Sequence, residues 1–376
     1  MIENQPEVRK IFGLDLMRIT AILLVLGAHS LWIYPNYSNL LTKGINFCGF
    51  IGVEIFFVLS GFLIGGSLQR TFLKEKYGFT ETLDFIKRRT YRIMPNYLLI
   101  LVINLIVAAI IGYAVIDPWK YFFFLQNFFS PMLPFFPESW SMAIKEIPYF
   151  IFPIALLFFT GFVNVTNRKR VFLLTTVAMI AIPMLAKIGF YFYHDEVSLS
   201  QWNISLRSVA IYRIDAVMTG VLLSWLYINY KIFWRRYQRL FLISSILIMF
   251  LLVSLVGVIK ISIEENPFFW DVLFLPSISV ACGLSLPFFS EWKKAPSYIH
   301  KPVHILGAIS YFVYLIHYSL VLFLMKYFID TSQFSLIELH CFTLLYLVLT
   351  FGLSWFLYKV YERPILKLRE KSHEAN

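Results

Sequence analysis

Two ionisable residues interrupt the first apolar stretch, GLDLMRITAILLVLGAHSLWIY: Arg18 near its start and His29 near its end. Ten residues lie between them, a rise of about 16 Å along a helix. The segment from Leu14 to Tyr34 is long enough to cross a bilayer core, with Arg18 about 6 Å inside one face and His29 about 7 Å below the other. A guanidinium at one mouth suits an anionic group, because its fork of donors matches phosphate oxygens. An imidazole near the opposite mouth can take a proton from a hydroxyl near neutral pH. The separation matches an extended cofactor arm reaching from an anion-binding mouth to a reaction centre.

Further charges fall at chosen depths. Glu54, in FCGFIGVEIFFVLSGFLIGGSL, lies about 10 Å below the face near His29, where a lone carboxylate is costly and needs a partner. Glu146, in SWSMAIKEIPYFIFP, lies about 8 Å below that face, two residues before Pro148, which is expected to interrupt the helix and open a polar cavity. His29, Glu54 and Glu146 therefore form a candidate catalytic layer, with His29 as general base and either carboxylate orienting it. Arg88, Arg89 and Arg92 share a helical face in IKRRTYR by i,i+3 and i,i+4 spacing, and with Arg18 they are the candidate donor-binding residues. A plain topogenic cluster of basic residues accounts for that segment equally well. Arg213 and Asp215 sit about 10 to 13 Å into the sixth stretch and are expected to balance one another or the glutamates. His317 is placed near the midplane, where interhelical hydrogen bonding is its ordinary role, and Glu362 at the basic mouth, where salt bridging is. Ser60 beside Gly61 lacks a local base, while Gly61 and Gly65 are spaced to let a neighbouring helix approach closely.

Elements that could hold these residues follow from composition. Hydrophobic residues make up 59% of the chain and charged residues only 15%, and the 39 Phe, 22 Tyr and 9 Trp leave little material for a water-soluble domain. A soluble chain carries about 25% charged residues, so this is an all-α polytopic membrane protein. Ten spans are expected near 14–34, 47–68, 92–116, 141–161, 171–192, 207–228, 239–259, 268–290, 304–327 and 338–360. Residues 1–13 and 365–376 are then short tails flanking one transmembrane domain, 14–364. With both tails cytoplasmic, inside segments hold 23 Lys and Arg and outside segments only Lys43, Lys120, Lys260 and Lys326. That bias places both termini inside a cell membrane and explains the net charge of +11 without nucleic acid. The first span is retained, since no small-residue cleavage site follows it. The segment DPWKYFFFLQNFFSPMLPFFPESW is expected to be re-entrant or interfacial on the outer side, its aromatics an interfacial belt or a sugar-stacking surface. Cys48, Cys282 and Cys341 form no metal-ligand or disulfide pattern. No Walker loop, GxSxG elbow, HExxH motif or internal repeat is present, so no metal or bound cofactor is expected.

The chain resembles the membrane-bound acyltransferase 3 family from Leu14 to Pro364. The resemblance rests on Arg18 and His29 with ten residues between, on GVEIFFVLSGFLI, on Arg89, Arg92 and Pro95, and on the late set Gly307, Ser310, Tyr314 and His317. It implies O-acyl transfer to exported carbohydrates, a cytoplasmic acyl-CoA donor, usually acetyl-CoA, the arginines near the nucleotide end and His29 at the acceptor end. Ser310 and His317 become secondary site candidates beside Arg213, Asp215 and Glu362. Three positions depart from the pattern: Glu54 for a common aspartate, Lys145 for the first of two glutamates, and Pro148 for an aromatic. No esterase-like segment follows the spans, so acceptor handling is expected of the membrane domain or of further cell-envelope enzymes.

The expected function is therefore an integral membrane O-acyltransferase moving an acyl group, in the first place acetyl, from acyl-CoA to a hydroxyl of a saccharide or lipid-linked glycan. A transporter or flippase of a lipid-linked or anionic solute would use the same buried charges as a substrate or proton path. An interaction protein without chemistry would tolerate apolar replacement of those charges.

Overall fold

The computed structural model describes residues 11–162, 167–193 and 198–367. The expected tails at 1–10 and 368–376 lie outside the described residues. Among the described residues, ten helices are long and apolar enough to cross a membrane: α1 (Phe12–Ile33), α2 (Leu40–Phe72), α3 (Phe79–Ile111), α4 (Ser139–Thr160), α5 (Arg168–Tyr193), α6 (Ala210–Asn229), α7 (Gln238–Gly257), α8 (Phe269–Glu291), α9 (Tyr298–Phe328) and α10 (Leu336–Lys367). No strand occurs among the described residues. Consecutive helices alternate in direction. The Gly13 N–H at the start of α1 donates to Trp292 at the end of α8, and Tyr34 after α1 reaches Leu339 and His340 at the start of α10. One end of the bundle thus carries Arg88, Arg92 and the start of α1; it is called the basic end below.

Local sequence explains the boundaries. α3 begins at Phe79, thirteen residues before its expected start. The basic turn holds only helix-compatible Lys, Arg, Thr and Tyr, and Glu81 reaches back to accept the Gly78 N–H at 2.9 Å, which lets the helix run past the apolar boundary. Gly112 ends it in the left-handed conformation at φ 79°, a conformation that costs glycine little. Pro148 and Pro153 lie inside an α4 that continues from Ser139 to Thr160. The break expected at Pro148 does not occur: a proline removes one backbone bond, and the packed neighbours hold the helix together.

The core forms where backbones come closest. α2 packs most extensively against α6 and α1. A Cβ at Gly61 would meet the Val217 carbonyl oxygen at 1.8 Å, and one at Gly220 would meet that of Val58 at 2.0 Å. Glycine at both positions is therefore what allows this crossing. The segment between α3 and α4 folds back into the bundle. Tyr121, Phe124, Phe135 and Phe136 are buried in it while Trp119, Phe123 and Phe129 stay exposed, so only part of the expected aromatic belt faces outward. Tyr97 donates to the Tyr121 carbonyl and Tyr121 to that of Phe135, both at 2.9 Å.

Candidate active site

His29 and His317 meet although 288 residues separate them. α1 carries His29 one turn before its end, and α9 brings His317 to the start of a wide π-type turn, His317–Leu322. The His29 Nδ1 lies 2.7 Å from His317 Nε2, and His317 Nδ1 lies 2.7 Å from the Tyr314 carbonyl oxygen. A carbonyl only accepts, so His317 carries its proton on Nδ1 and offers a lone pair at Nε2. His29 must then donate from Nδ1, which leaves the lone pair of its own Nε2 free for a proton. His317 is fully buried and His29 half-buried, so the pair has one anchored and one accessible member. Tyr318 lies against His29 at 4.7 Å between ring centroids and stacks on the exposed Trp32 at 5.4 Å.

The partners expected for His29 are engaged elsewhere. Among the described residues, neither carboxylate hydrogen-bonds to it. Glu54 is ion-paired with Arg213 and accepts from the Ser279 hydroxyl at 3.0 Å; Glu54 and Arg213 are both fully buried. Asp215 pairs at 2.5 Å with Lys187 of α5. Arg213 and Asp215 are thus balanced by Glu54 and Lys187 and not by one another, because side chains two residues apart on a helix point to different neighbours. His317 belongs to the layer of His29 and not to a separate midplane position. Ser310 spends its hydroxyl on the Gly307 carbonyl of its own helix at 2.9 Å.

Toward the basic end, Glu146 meets two cations. Arg89 Nε stands 4.0 Å from one of its oxygens and Lys145 Nζ 3.5 Å from the other. Arg89 also lies 4.5 Å from the Tyr149 ring centre and Lys145 5.3 Å from that of Tyr311. These contacts are longer than the 2.5 Å pair of Lys187 with Asp215; Arg89 Nε and Glu146 Oε1 are buried with no hydrogen-bond partner, as are Arg213 Nε and Nη1 and Asp215 Oδ1. Arg18 is held by Asp15 at 2.8 Å on its own helix. Arg88 and Arg92 are exposed, so the expected three-arginine face divides: Arg89 turns inward and the other two rim the mouth. Glu362 lies within electrostatic reach of Arg92.

Three participants were missed in the sequence. Lys187 was detectable as an ionisable residue within an apolar run. Lys145 departs from the family pattern, and its pairing with the adjacent Glu146 shows only in the structure. Glu138 precedes α4 and is buried, its carboxylate accepting from Ser319; burial pushes its carboxyl up to about 7 against the downward pull of those bonds. No local pattern marks it, because its partner is on α9.

A multi-pass membrane bundle that gathers a histidine pair toward one end and a cationic cluster around Glu146 toward the other defines a class of membrane protein with ionisable groups held between its helices. The chain belongs to the acyltransferase 3 family: the model of its acyltransferase domain matches residues 11–359. It is similar to a provisionally named O-acetyltransferase of Staphylococcus aureus (strain COL), 26% identical over 345 residues, 86% of this chain and 53% of the relative. It is also similar to the O-acetyltransferase OatA of Staphylococcus aureus (strain NCTC 8325 / PS 47), 23% identical over 354 residues, 88% of this chain and 53% of the relative. The chain therefore spans about half the length of these curated relatives. No solved structure matches it.

Proposed function

We propose that the protein moves an acyl group, in the first place acetyl, from cytoplasmic acyl-CoA to a hydroxyl of a saccharide or lipid-linked glycan at the other membrane face. The observation that carries this is the bond series Tyr314 carbonyl, His317, His29, which leaves His29 Nε2 as a free base. The acceptor hydroxyl gives its proton to that nitrogen while its oxygen bonds to the thioester carbonyl carbon. The carbon–sulfur bond then breaks, and the proton passes from His29 to the departing thiolate, giving the ester and free CoA. His317 holds the His29 ring in the required tautomer and shares the positive charge as it forms.

The donor side is supported by charge. Arg89 and Lys145 share the single carboxylate of Glu146, leaving one half-buried positive charge over, and a partly desolvated charge favours an anionic partner. The donor's phosphates, guided by Arg88 and Arg92 and passing Arg18, supply such a partner and bring the thioester toward His29. Glu54, Arg213, Asp215 and Lys187 form two buried ion pairs and, with Ser279 bonded to Glu54, are assigned to holding α2, α5, α6 and α8 together.

The test is transfer of radiolabel from acetyl-CoA to added glycan by protein reconstituted in vesicles, with turnover normalised to folded protein. A general base contributes about 10² to 10⁴ in rate, so His29→Ala is expected to lose at least a hundredfold in turnover while CoA binding persists. Near wild-type turnover in that variant would remove His29 as the base, and unaltered label in the wild type would leave a flippase as the better reading.

A further inference from the structure

The histidine pair depends on a backbone that is not standard helix. Over His317–Leu322 α9 widens to a π-type turn, in which backbone N–H groups lose their usual partners four residues back. The Ser319 N–H donates to Glu138 Oε1 at 3.1 Å. The Ser319 hydroxyl donates to the same oxygen at 2.7 Å. Glu138, at the N-terminal end of α4, also holds α9 one turn earlier through its own carbonyl oxygen, which lies 3.4 Å from the Tyr314 hydroxyl and 3.2 Å from the Ser141 hydroxyl and accepts from one of the two. Those two hydroxyls are themselves 2.5 Å apart, so one donates to the other and the other donates to the carbonyl.

The two grips bracket His317. One fixes the turn that His317 opens; the other fixes Tyr314, whose carbonyl sets the His317 tautomer. We infer that Glu138 is a positioning residue for acyl transfer: by accepting both Ser319 bonds it holds the π-type turn that aims His317 at His29. Glu138 touches neither reacting atom in this scheme, and it acts through His317. The role is specific to an acceptor oxygen at this point. Glu138 Oε2 is buried with no hydrogen-bond partner, and no salt bridge to Glu138 occurs among the described residues, so the carboxylate serves here through Oε1 alone. An amide oxygen can accept the same two bonds, and an alanine can accept neither.

This inference rests on the acyltransfer reading, and its test separates the two. In vesicles, Glu138→Ala is expected to lower turnover per folded molecule about tenfold or more, as a misplacement of roughly 1 Å can cost up to 10²-fold, with the acetyl-CoA KM within about twofold. Glu138→Gln is expected to restore most of that turnover, and Ser319→Ala, which keeps the backbone N–H bond, to fall between. Nitrogen-15 spectra of the histidine rings, assigned with His317→Gln, give a readout that needs no activity: wild type and Glu138→Gln should show His317 protonated on Nδ1, and Glu138→Ala a mixture of tautomers. Wild-type turnover in folded Glu138→Ala, an unchanged His317 tautomer there, or a Glu138→Gln variant as impaired as the alanine would each overturn the assignment. Absence of transfer by the wild type would instead overturn the acyltransfer reading, and the tautomer would still decide the role of Glu138.

Discussion

Replacing Glu54 by alanine should unfold this protein before it changes the chemistry. Glu54 and Arg213 are both at 0% exposure and paired with each other. Arg213 Nε and Nη1 have no hydrogen-bond partner, and the neighbouring carboxylate of Asp215 is held at 2.5 Å by Lys187, so no second anion stands ready. Breaking a buried pair from one side costs about 3 to 5 kcal/mol. Losing the bond from Ser279 adds about 1 kcal/mol. Because roughly 1.4 kcal/mol is a tenfold change in an equilibrium constant, the folded-to-unfolded ratio should drop by at least a hundredfold. Glu54→Leu combined with Arg213→Met removes both charges and keeps the volume apolar, which for buried pairs is often neutral or stabilising. Unfolding by titrated SDS in mixed micelles, with folded fraction read by tryptophan fluorescence, gives both free energies, and turnover is then measured per folded molecule. The expected pattern is a destabilised single variant and a double variant close to wild type in both stability and turnover. A double variant that is stable and inactive would refute the structural assignment and return Glu54 to the chemistry.

Arg89→Gln with Arg92→Gln should weaken CoA binding at least tenfold, since each charge-assisted bond to phosphate is worth about 1.5 to 3 kcal/mol; calorimetry on purified protein checks this, and unchanged affinity would leave these residues a topogenic role only. Gly220→Ala should sharply reduce folded protein, because its Cβ would fall 2.0 Å from the Val58 carbonyl oxygen and 2.7 Å from the Phe62 nitrogen, whereas Gly257→Ala, with nothing within 4 Å, should behave as wild type. Monodisperse yield in detergent compares the two, and equal yields would show that the α2–α6 crossing can relax.

Span number and fold class were legible in the sequence because both depend on local quantities. Hydropathy summed over about 20 residues decides whether a helix can replace water by lipid, and no distant contact is needed for that. Depth along a single helix is equally local, which is why Arg18, His29, Glu54, Glu146 and Arg213 stood out: each carries an intrinsic desolvation cost that demands a partner. Which partner each one takes is a different kind of quantity. It depends on the azimuth of two helices and the distance of their closest approach, and these are set by packing, as where Gly61 and Gly220 let α2 and α6 touch. Equal depth therefore suggested Glu54 beside His29, while the fold turned Glu54 toward Arg213, 159 residues away, and delivered His317 from a helix 288 residues along the chain. The same limit hid Lys187 as the counter-ion of Asp215 and Glu138 as the support of the Ser319 turn, since each is defined only by a neighbour that tertiary packing brings within hydrogen-bond distance.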